Sequence, residues 1–429
     1  MKILLLGSGG REFTLALKIG ESEKCSQLFV APGNAGTAQI AHNLPIEADD
    51  FPAIGQFVIA ENIELVIVGP EDPLVKGIRD YFRADDKLQH VAMIGPDKAG
   101  ARLEGSKDFS KSFMEKYGIP AAKSKTFTAD TIEAGIAYLD TCKTPIVLKA
   151  DGLAAGKGVI ICETKEHAAI SLKAMLVDKQ FGDASSKVLI EEFLDGIELS
   201  MFVLADGTDY ILLPEAKDYK RIGEGDTGLN TGGMGAVSPV NFANKEFIDK
   251  VKAKVIEPTI SGLQKEGIDY KGFIFIGLMN IEGEPYVIEY NVRMGDPETQ
   301  VVFPRIESDI VELLLASAEG NLKNIMLQVN DSVATTVVLV AGGYPGNYDK
   351  GKVIKGLADV TNALVIHAGT KLENYEFVTN GGRVLAVTGM GTTLDDALKN
   401  TYAGVSQISW DGMYYRKDIG KDILALQID

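Results

Sequence analysis

The segment Glu289–Arg293 reads EYNVR, and on a strand its alternate side chains share a face. Glu289, Asn291 and Arg293 then point one way, while Tyr290 and Val292 point into a core. A carboxylate beside an amide oxygen suits Mg²⁺ or Mn²⁺, a hard cation that completes its shell with substrate phosphates. Arg293, one step further on, can grip a carboxylate or stabilise a phosphoryl group in transfer. The following MGDPETQ adds Asp296 and Glu298. A second cationic stretch, KADGLAAGKGV at 149–159, follows the apolar run PIVL. A Walker loop needs G-x-x-x-x-G-K-[ST], but only three residues separate Gly152 from Gly156, and Gly158 stands at the hydroxyl position. A strand running into a glycine loop that carries Lys149, Gly156 and Lys157 is still a place to hold nucleotide phosphates.

Three further stretches carry candidate chemistry. GSGGRE at 7–12 has the first two glycines of a dinucleotide fingerprint but Glu12 in place of the third. Its Gly9 permits close approach to a ligand, its helix start favours an anion, and Arg11 offers a charged fork. A tight turn without a ligand is the plain alternative. EEFLDGIE at 191–198 can present backbone to an adenine edge and Glu198 to ribose hydroxyls; alone, it is an ordinary acidic turn. DYKRIGEGDTGLNTGGMG at 218–235 is rich in Gly, Asp and Thr, with Lys220 and Arg221 adding charge. It reads as a long functional loop without structure of its own, with a disordered linker as the plain alternative.

These stretches need elements to position them. The 429 residues exceed one ordinary core, so two to four domains are expected. With 45% hydrophobic and 24% charged residues the composition is that of a globular protein, and no apolar run approaches a membrane span. Lys2 leads straight into a strand-like run, unlike a secretory leader, and three scattered cysteines suit a reducing, cytoplasmic setting. A net charge of −17 without a basic stripe argues against nucleic acid, and the four histidines are not spaced as metal ligands.

The expected organisation is α/β and α+β, in several domains. KILLLGSGG, LFVAPGNAG, LVIVGPEDP and VAMIGPDKA each end an apolar run in glycine, which predicts an open parallel α/β domain over 1–103. Its loops, including Asn34, would share one rim at the strand ends. Residues 104–194 predict a helix capped by Ser106 and a small α+β unit with a helix over 165–177. Residues 195–327 predict a central unit with a helix around 245–265 and a hairpin turning at EGE. Residues 328–429 predict a further β-rich unit with a helix over 393–407.

Taken together, these segments resemble the ATP-grasp superfamily, and more closely the glycinamide ribonucleotide synthetase family. GSGGRE, APGNAGT, VGPEDPLVKG, GPDKAGARLEGSK, KADGLAAGKGV, EEFLDG, DTGLNTGGMGA, GDPETQ, AGGYPG, HAGTKL, TNGGRVLAVT and RKDIG occur in order from residue 7 to residue 420. The resemblance implies an ATP-grasp fold with a pre-ATP-grasp N-terminal domain and a C-terminal β-rich domain. It implies ATP-dependent joining of glycine to 5-phosphoribosylamine by way of a glycyl phosphate, in purine biosynthesis, by a monomer or weak dimer. Lys107, Lys149 and the Gly156–Lys157 loop would meet ATP phosphates; Glu191, Phe193, Leu194 and Glu198 would hold adenosine. Glu289 and Asn291 would bind the metal. Arg293, Lys149 and Asp296 would serve the chemistry. Gly9, Arg11, Asn34, Asp218, Lys220, Arg221, Asp226, Thr231 and Gly232 would face the amine substrate. Phe13 and Tyr219 stand where the family often has His, and Val292 where it often has Cys. FIFIGLMN offers no second metal carboxylate, which leaves Glu298 as the nearest substitute. Three other readings compete: another carboxylate–amine ligase of the same superfamily acting on a related nucleotide, a nicotinamide-dependent oxidoreductase suggested by the N-terminal sheet, and a non-catalytic nucleotide-binding or assembly protein, against which intact Glu289, Asn291 and Arg293 argue.

Overall fold

The computed structural model describes residues 1–154 and 158–425. The first apolar runs form a parallel five-stranded sheet. Lys2–Gly7 lies at its centre, Gln27–Pro32 and His42–Asn43 lie on one side, and Leu65–Val68 and Ala92–Ile94 on the other. The strand order reverses beside Lys2–Gly7, so a crevice opens at its C-terminal end, where Gly7, Pro32 and Gly69 meet. The parallel sheet expected from the glycine-terminated runs is present.

Helices Lys98–Gly105 and Lys107–Lys116 lead out of this sheet. Ser106 caps the second, as expected: its Oγ accepts from Phe109 N at 3.2 Å. The same hydroxyl donates to Asp151 Oδ1 at 3.1 Å, tying the helix start to the turn after strand Ile146–Ala150. Ser106→Ala should therefore cost about 1 kcal/mol, the usual worth of a cap, read as a lower urea midpoint at unchanged slope.

A four-stranded antiparallel sheet follows, ordered Ser124–Thr128, Lys187–Glu192, Ile146–Ala150, Val159–Cys162. Helices Ile132–Thr141 and Lys165–Leu176 close a small core against it, with Phe127, Leu148, Leu172 and Met175 buried. This core is separate from the rest.

The remaining large sheet has eight strands. Glu284–Asn291 is its edge, followed by Lys271–Ile281, Ile197–Asp206, Tyr210–Asp218, Gly235–Ser238, Val333–Val340, Arg383–Gly391 and Leu364–His367. The EGE hairpin forms as expected, with Glu282 and Gly283 at φ 51° and 81°, the left-handed pair of a tight two-residue turn. The helical stretch near 245–265 is interrupted by a π segment at Lys252–Ile256.

The expectation for 218–235 is corrected. Arg221–Gly223 and Thr227–Asn230 pair as a hairpin, and Gly235–Ser238 joins the large sheet. Gly235 serves close packing, since a Cβ there would lie 2.6 Å from Thr336 O, whereas Gly225 sits in open space at φ 66°. Through this strand one continuous sheet crosses the boundary drawn between residues 327 and 328.

Two of the atypical positions lie in the interior. Phe13 packs edge-on against His367, ring centroids 5.6 Å apart, beside Met234, Val338 and Ile366. Tyr219 donates to Asp422 and accepts from Gly420 N at 3.0 Å, anchoring the C-terminal segment. Burial lowers His367 from 6.5 to about 4. A histidine kept neutral in the fold binds fewer protons than in the unfolded chain. Stability should therefore fall as pH drops from 6.5 toward 4, with about 2 kcal/mol lost at pH 5. Urea midpoints at pH 7.5 and 5 for wild type and His367→Gln check this; an equal loss in both proteins rules the histidine out.

Candidate active site

One cavity of about 800 Å³ lies between the rim of the parallel sheet, the four-stranded sheet and the edge strand Glu284–Asn291. The edge strand supplies its floor. Tyr290 and Val292 are 2% and 1% exposed and belong to the core, whereas Glu289, Asn291 and Arg293 all line the cavity. The expected alternation is present as far as Asn291, where the strand ends; Arg293 reaches the cavity from the bend that follows. Gly277 lies opposite Glu289 and leaves room for it: a Cβ there would sit 3.2 Å from Glu289 Cγ. Among the described residues nothing hydrogen-bonds the Glu289 carboxylate or the Asn291 side-chain amide. Burial pushes the Glu289 carboxyl up, but Lys220, Lys149, Lys107 and Arg293 outweigh it and hold the group below the ordinary range. An ionised carboxylate and an amide oxygen, both without protein partners, fit a hard divalent cation. No cluster of three or more His, Cys, Asp or Glu among the described residues could hold one alone, so substrate phosphates must complete the shell. Glu298 lines the same cavity, but one of its oxygens accepts from Ser200 Oγ at 3.3 Å.

The cations come from different elements. Lys149, at the end of a strand, sets Nζ 3.1 Å from Glu191 Oε2 and 3.2 Å from Ile288 O. Lys107, in the first turn of its helix, donates to Gly152 O at 3.2 Å; burial, aided by Lys149, pulls its pKa down. Lys111, one helical turn on from Lys107, faces the same Glu191 oxygen at 3.3 Å. The other oxygen, Glu191 Oε1, is buried without a partner, which leaves an acceptor aimed at a ligand donor. Gly156 and Lys157 lie outside the described residues. Phe193, Leu194 and Glu198 are not in the cavity wall: Phe193 is exposed, and Glu198, at the start of strand Ile197–Asp206, pairs with Lys220.

At the rim, Gly9 and Arg11 line the cavity. Arg11 is largely committed: Nε donates to Glu12 Oε1 at 2.6 Å and Nη1 to Met294 O at 3.1 Å. Glu12 Oε2 accepts from Gly9 N at 2.7 Å. The carboxylate therefore occupies the helix start where a dinucleotide would place its pyrophosphate, and the oxidoreductase reading loses its site. Asn34 lines an adjoining cavity of about 310 Å³ that shares Ser8, Gly9, Asp296 and Arg383 with the main one. Its amide nitrogen donates to Ser8 O and His367 O, and its oxygen accepts from Gly36 N and Thr37 N. Asn34 thus fixes the rim loops to the C-terminal strands.

Asp218, Lys220, Thr231 and Gly232 line the main cavity; Arg221 and Asp226 do not. Arg221 donates to Gly228 O within its hairpin, and Asp226 pairs with Arg416 at 2.6 Å. Both hold the hairpin, a role that follows from its being folded. Asp296 accepts from Gln300 Nε2 at 2.8 Å and faces Arg383 at 3.3 Å. Burial opposes its ionisation, but Arg383 and Arg11 keep its carboxyl below the usual range. Lys111, Arg383, Glu71 and Glu104 are cavity residues that sequence reasoning passed over. The blocks GARLEGSK, VGPEDP and TNGGRV contained three of them without singling them out.

A small antiparallel sheet over a cation-lined cavity, with a carboxylate–amide pair on the opposing strand, defines the ATP-grasp class. Family models for phosphoribosylglycinamide synthetase match the chain in order: the N domain over residues 1–104, the ATP-grasp (A) domain over 105–299 and the C domain over 334–422. The chain belongs to the phosphoribosylglycinamide synthetase family. It is 46% identical to the phosphoribosylamine–glycine ligase of Escherichia coli K12 over 98% of each chain, and 47% identical to that of Pasteurella multocida over 99% of each. The crystal structure of phosphoribosylamine–glycine ligase from Thermotoga maritima superposes with a TM-score of 0.85 at 34% identity, covering 97% of this chain and all of that one.

Proposed function

We propose that this chain ligates glycine to 5-phosphoribosylamine at the expense of ATP, giving glycinamide ribonucleotide, ADP and phosphate in purine biosynthesis. The observation that carries the reading is the cavity wall. Lys107, Lys149, Lys220 and Arg293 converge on an ionised Glu289 and an unpartnered Asn291, and the family membership specifies the substrates. The partners are these small molecules; no described helix is long and apolar enough to cross a membrane.

A carboxylate resists an amine until one of its oxygens becomes a leaving group. A glycine carboxylate oxygen attacks the γ-phosphorus, the bond to the β-phosphate oxygen breaks, and ADP leaves. The 1-amino nitrogen of phosphoribosylamine then attacks the acyl carbon. Phosphate departs with the former carboxylate oxygen, and the amine loses a proton to solvent. Phosphoryl transfer of this kind needs positioning and charge neutralisation more than covalent help. Lys107 and Lys149 hold ATP phosphates, and Glu191 Oε1 takes the donor edge of adenine. Arg293, with Asp296 nearby, orients glycine and its acyl phosphate. Gly9 and the 231–232 segment face phosphoribosylamine. Mg²⁺ or Mn²⁺ held by Glu289 and Asn291 supplies further neutralisation of phosphate charge when bound. The four-stranded sheet, closing over the cavity, keeps water from the acyl phosphate.

The test is ADP release with MgATP, glycine and phosphoribosylamine generated in situ, omitting each in turn. Dependence on all three, with the ribonucleotide product seen by mass spectrometry, is expected. Turnover indifferent to glycine or to the amine would hand the site to a ligase of other substrates.

A further inference from the structure

Arg293 does not stand free in the cavity. Its Nε donates to Glu71 Oε2 at 3.3 Å, its Nη1 to Met294 O at 3.3 Å, and its Nη2 lies 3.0 Å from Glu104 Oε1. A guanidinium has five N–H donors. Nε and Nη1 each give one N–H to protein while Nη2 faces Glu104 as an ion pair, which leaves at least one donor on each terminal nitrogen, the pair that a carboxylate or phosphate can engage.

Glu104 has a second attachment. Its Oε2 accepts from Val292 N at 2.8 Å. One carboxylate thus binds the main chain just after the end of the edge strand and, through its other oxygen, the side chain of the next residue. It comes from the last turn of helix Lys98–Gly105, and its side chain is only 5% exposed. A buried carboxylate is a poor device for stability, since an apolar side chain of similar size would usually do as well. Its burial needs a reason, and the two-point grip supplies one. Glu71 reaches the same guanidinium from the helix that follows Leu65–Val68, so both clamps originate in the N-terminal part of the chain.

We propose that Glu104 is a positioning residue for the glycine half of the reaction: it fixes the Arg293 guanidinium, through Val292 N and Nη2 together, so that its two free donors meet the glycine carboxylate. Glu71 completes the clamp from the solvent side. The inference rests on the reading of Arg293 as the glycine-binding arginine. It goes beyond that reading by making the N-terminal helix part of the glycine site.

Glu104→Gln keeps an acceptor for Val292 N and removes the charge facing Arg293. It should raise KM for glycine at least ~10-fold, about the worth of one charge-assisted hydrogen bond. KM for ATP should stay within about twofold, since Glu104 makes no bond to Lys107 or Lys149. In an Arg293→Lys background, which lacks the planar fork, the same change should add less than about a twofold effect. An equal multiplicative loss in both backgrounds, or a loss shared by ATP and glycine, overturns the proposal. Thermal unfolding of the same four proteins gives a second readout. Non-additive midpoints would show the contact, and additive midpoints would also sink the clamp. If the wild type made ADP without regard to glycine, the functional reading would fail. The midpoints would then show whether the contact exists, and the glycine role would be rejected with the reading on which it rests.

Discussion

Replacing Arg293 by methionine should lower kcat/KM by roughly 10³-fold or more, the range seen when a transition-state arginine is removed from phosphoryl transfer. The size follows from geometry and surroundings. Burial opposes the charge, but Glu104, Glu71, Glu298 and Glu289 together raise the guanidinium pKa above its ordinary value, so it is a cation throughout the accessible pH range. With its side chain only 18% exposed, its remaining donors are worth more than in water. Arg293→Lys keeps the charge but loses the fork, and should recover only a small part of the rate. Steady-state kinetics with glycine varied reads both changes. Near wild-type activity in the methionine variant would remove Arg293 from the chemistry and point to Lys149 or Arg383 as the group that meets the acyl phosphate. A circular dichroism spectrum and unfolding midpoint accompany the assay, because the substitution leaves Glu104 buried without its partner.

Glu289→Gln should be nearly as damaging. The side chain keeps its size and one oxygen but loses its charge. The expected cost is several kcal/mol of neutralisation at the transferring phosphate, or roughly 10³-fold in rate. Titration of Mn²⁺ by electron paramagnetic resonance, with a non-hydrolysable ATP analogue present, should show weakened binding. The substitution also leaves Lys220, Lys149 and Lys107 without the carboxylate they now face. Nucleotide affinity measured without metal should therefore change less than metal affinity. Unaltered Mn²⁺ binding would exclude Glu289 as a ligand and turn attention to Glu298 on the same cavity wall.

Much of this site is legible in local pattern. The period of two at the end of the edge strand determines that Glu289 and Asn291 face together, because a strand has no other way to arrange them, whereas Arg293 lies past the strand's end and is held beside them by Glu71 and Glu104. Ser106 announces its helix because a side-chain oxygen there satisfies an end amide that nothing else can. The run of glycine-terminated apolar segments determines a parallel sheet with its loops on one rim. Each of these signals spans only a few residues and is set by covalent geometry.

Tertiary structure decided the rest. The glycines of 218–235 indicate freedom when read along the chain, yet Gly235 is there so that a neighbouring strand can approach. Spacing alone cannot tell a flexible glycine from a crowded one. Asn34, Arg221 and Asp226 are of types that bind substrates, but their polar groups are spent on the fold, Asn34 and Asp226 by partners distant in sequence and Arg221 by Gly228 O within its own hairpin. Conversely, Arg383 and Glu104 reach the site from strands and helices whose local sequence gives no hint of it. Glu104 meets Val292 across 188 residues. What the sequence by itself determined is which side chains share an element and a face. Which of them keep a free donor or acceptor depends on long-range packing, because a hydrogen bond is spent by whatever partner the fold brings to it.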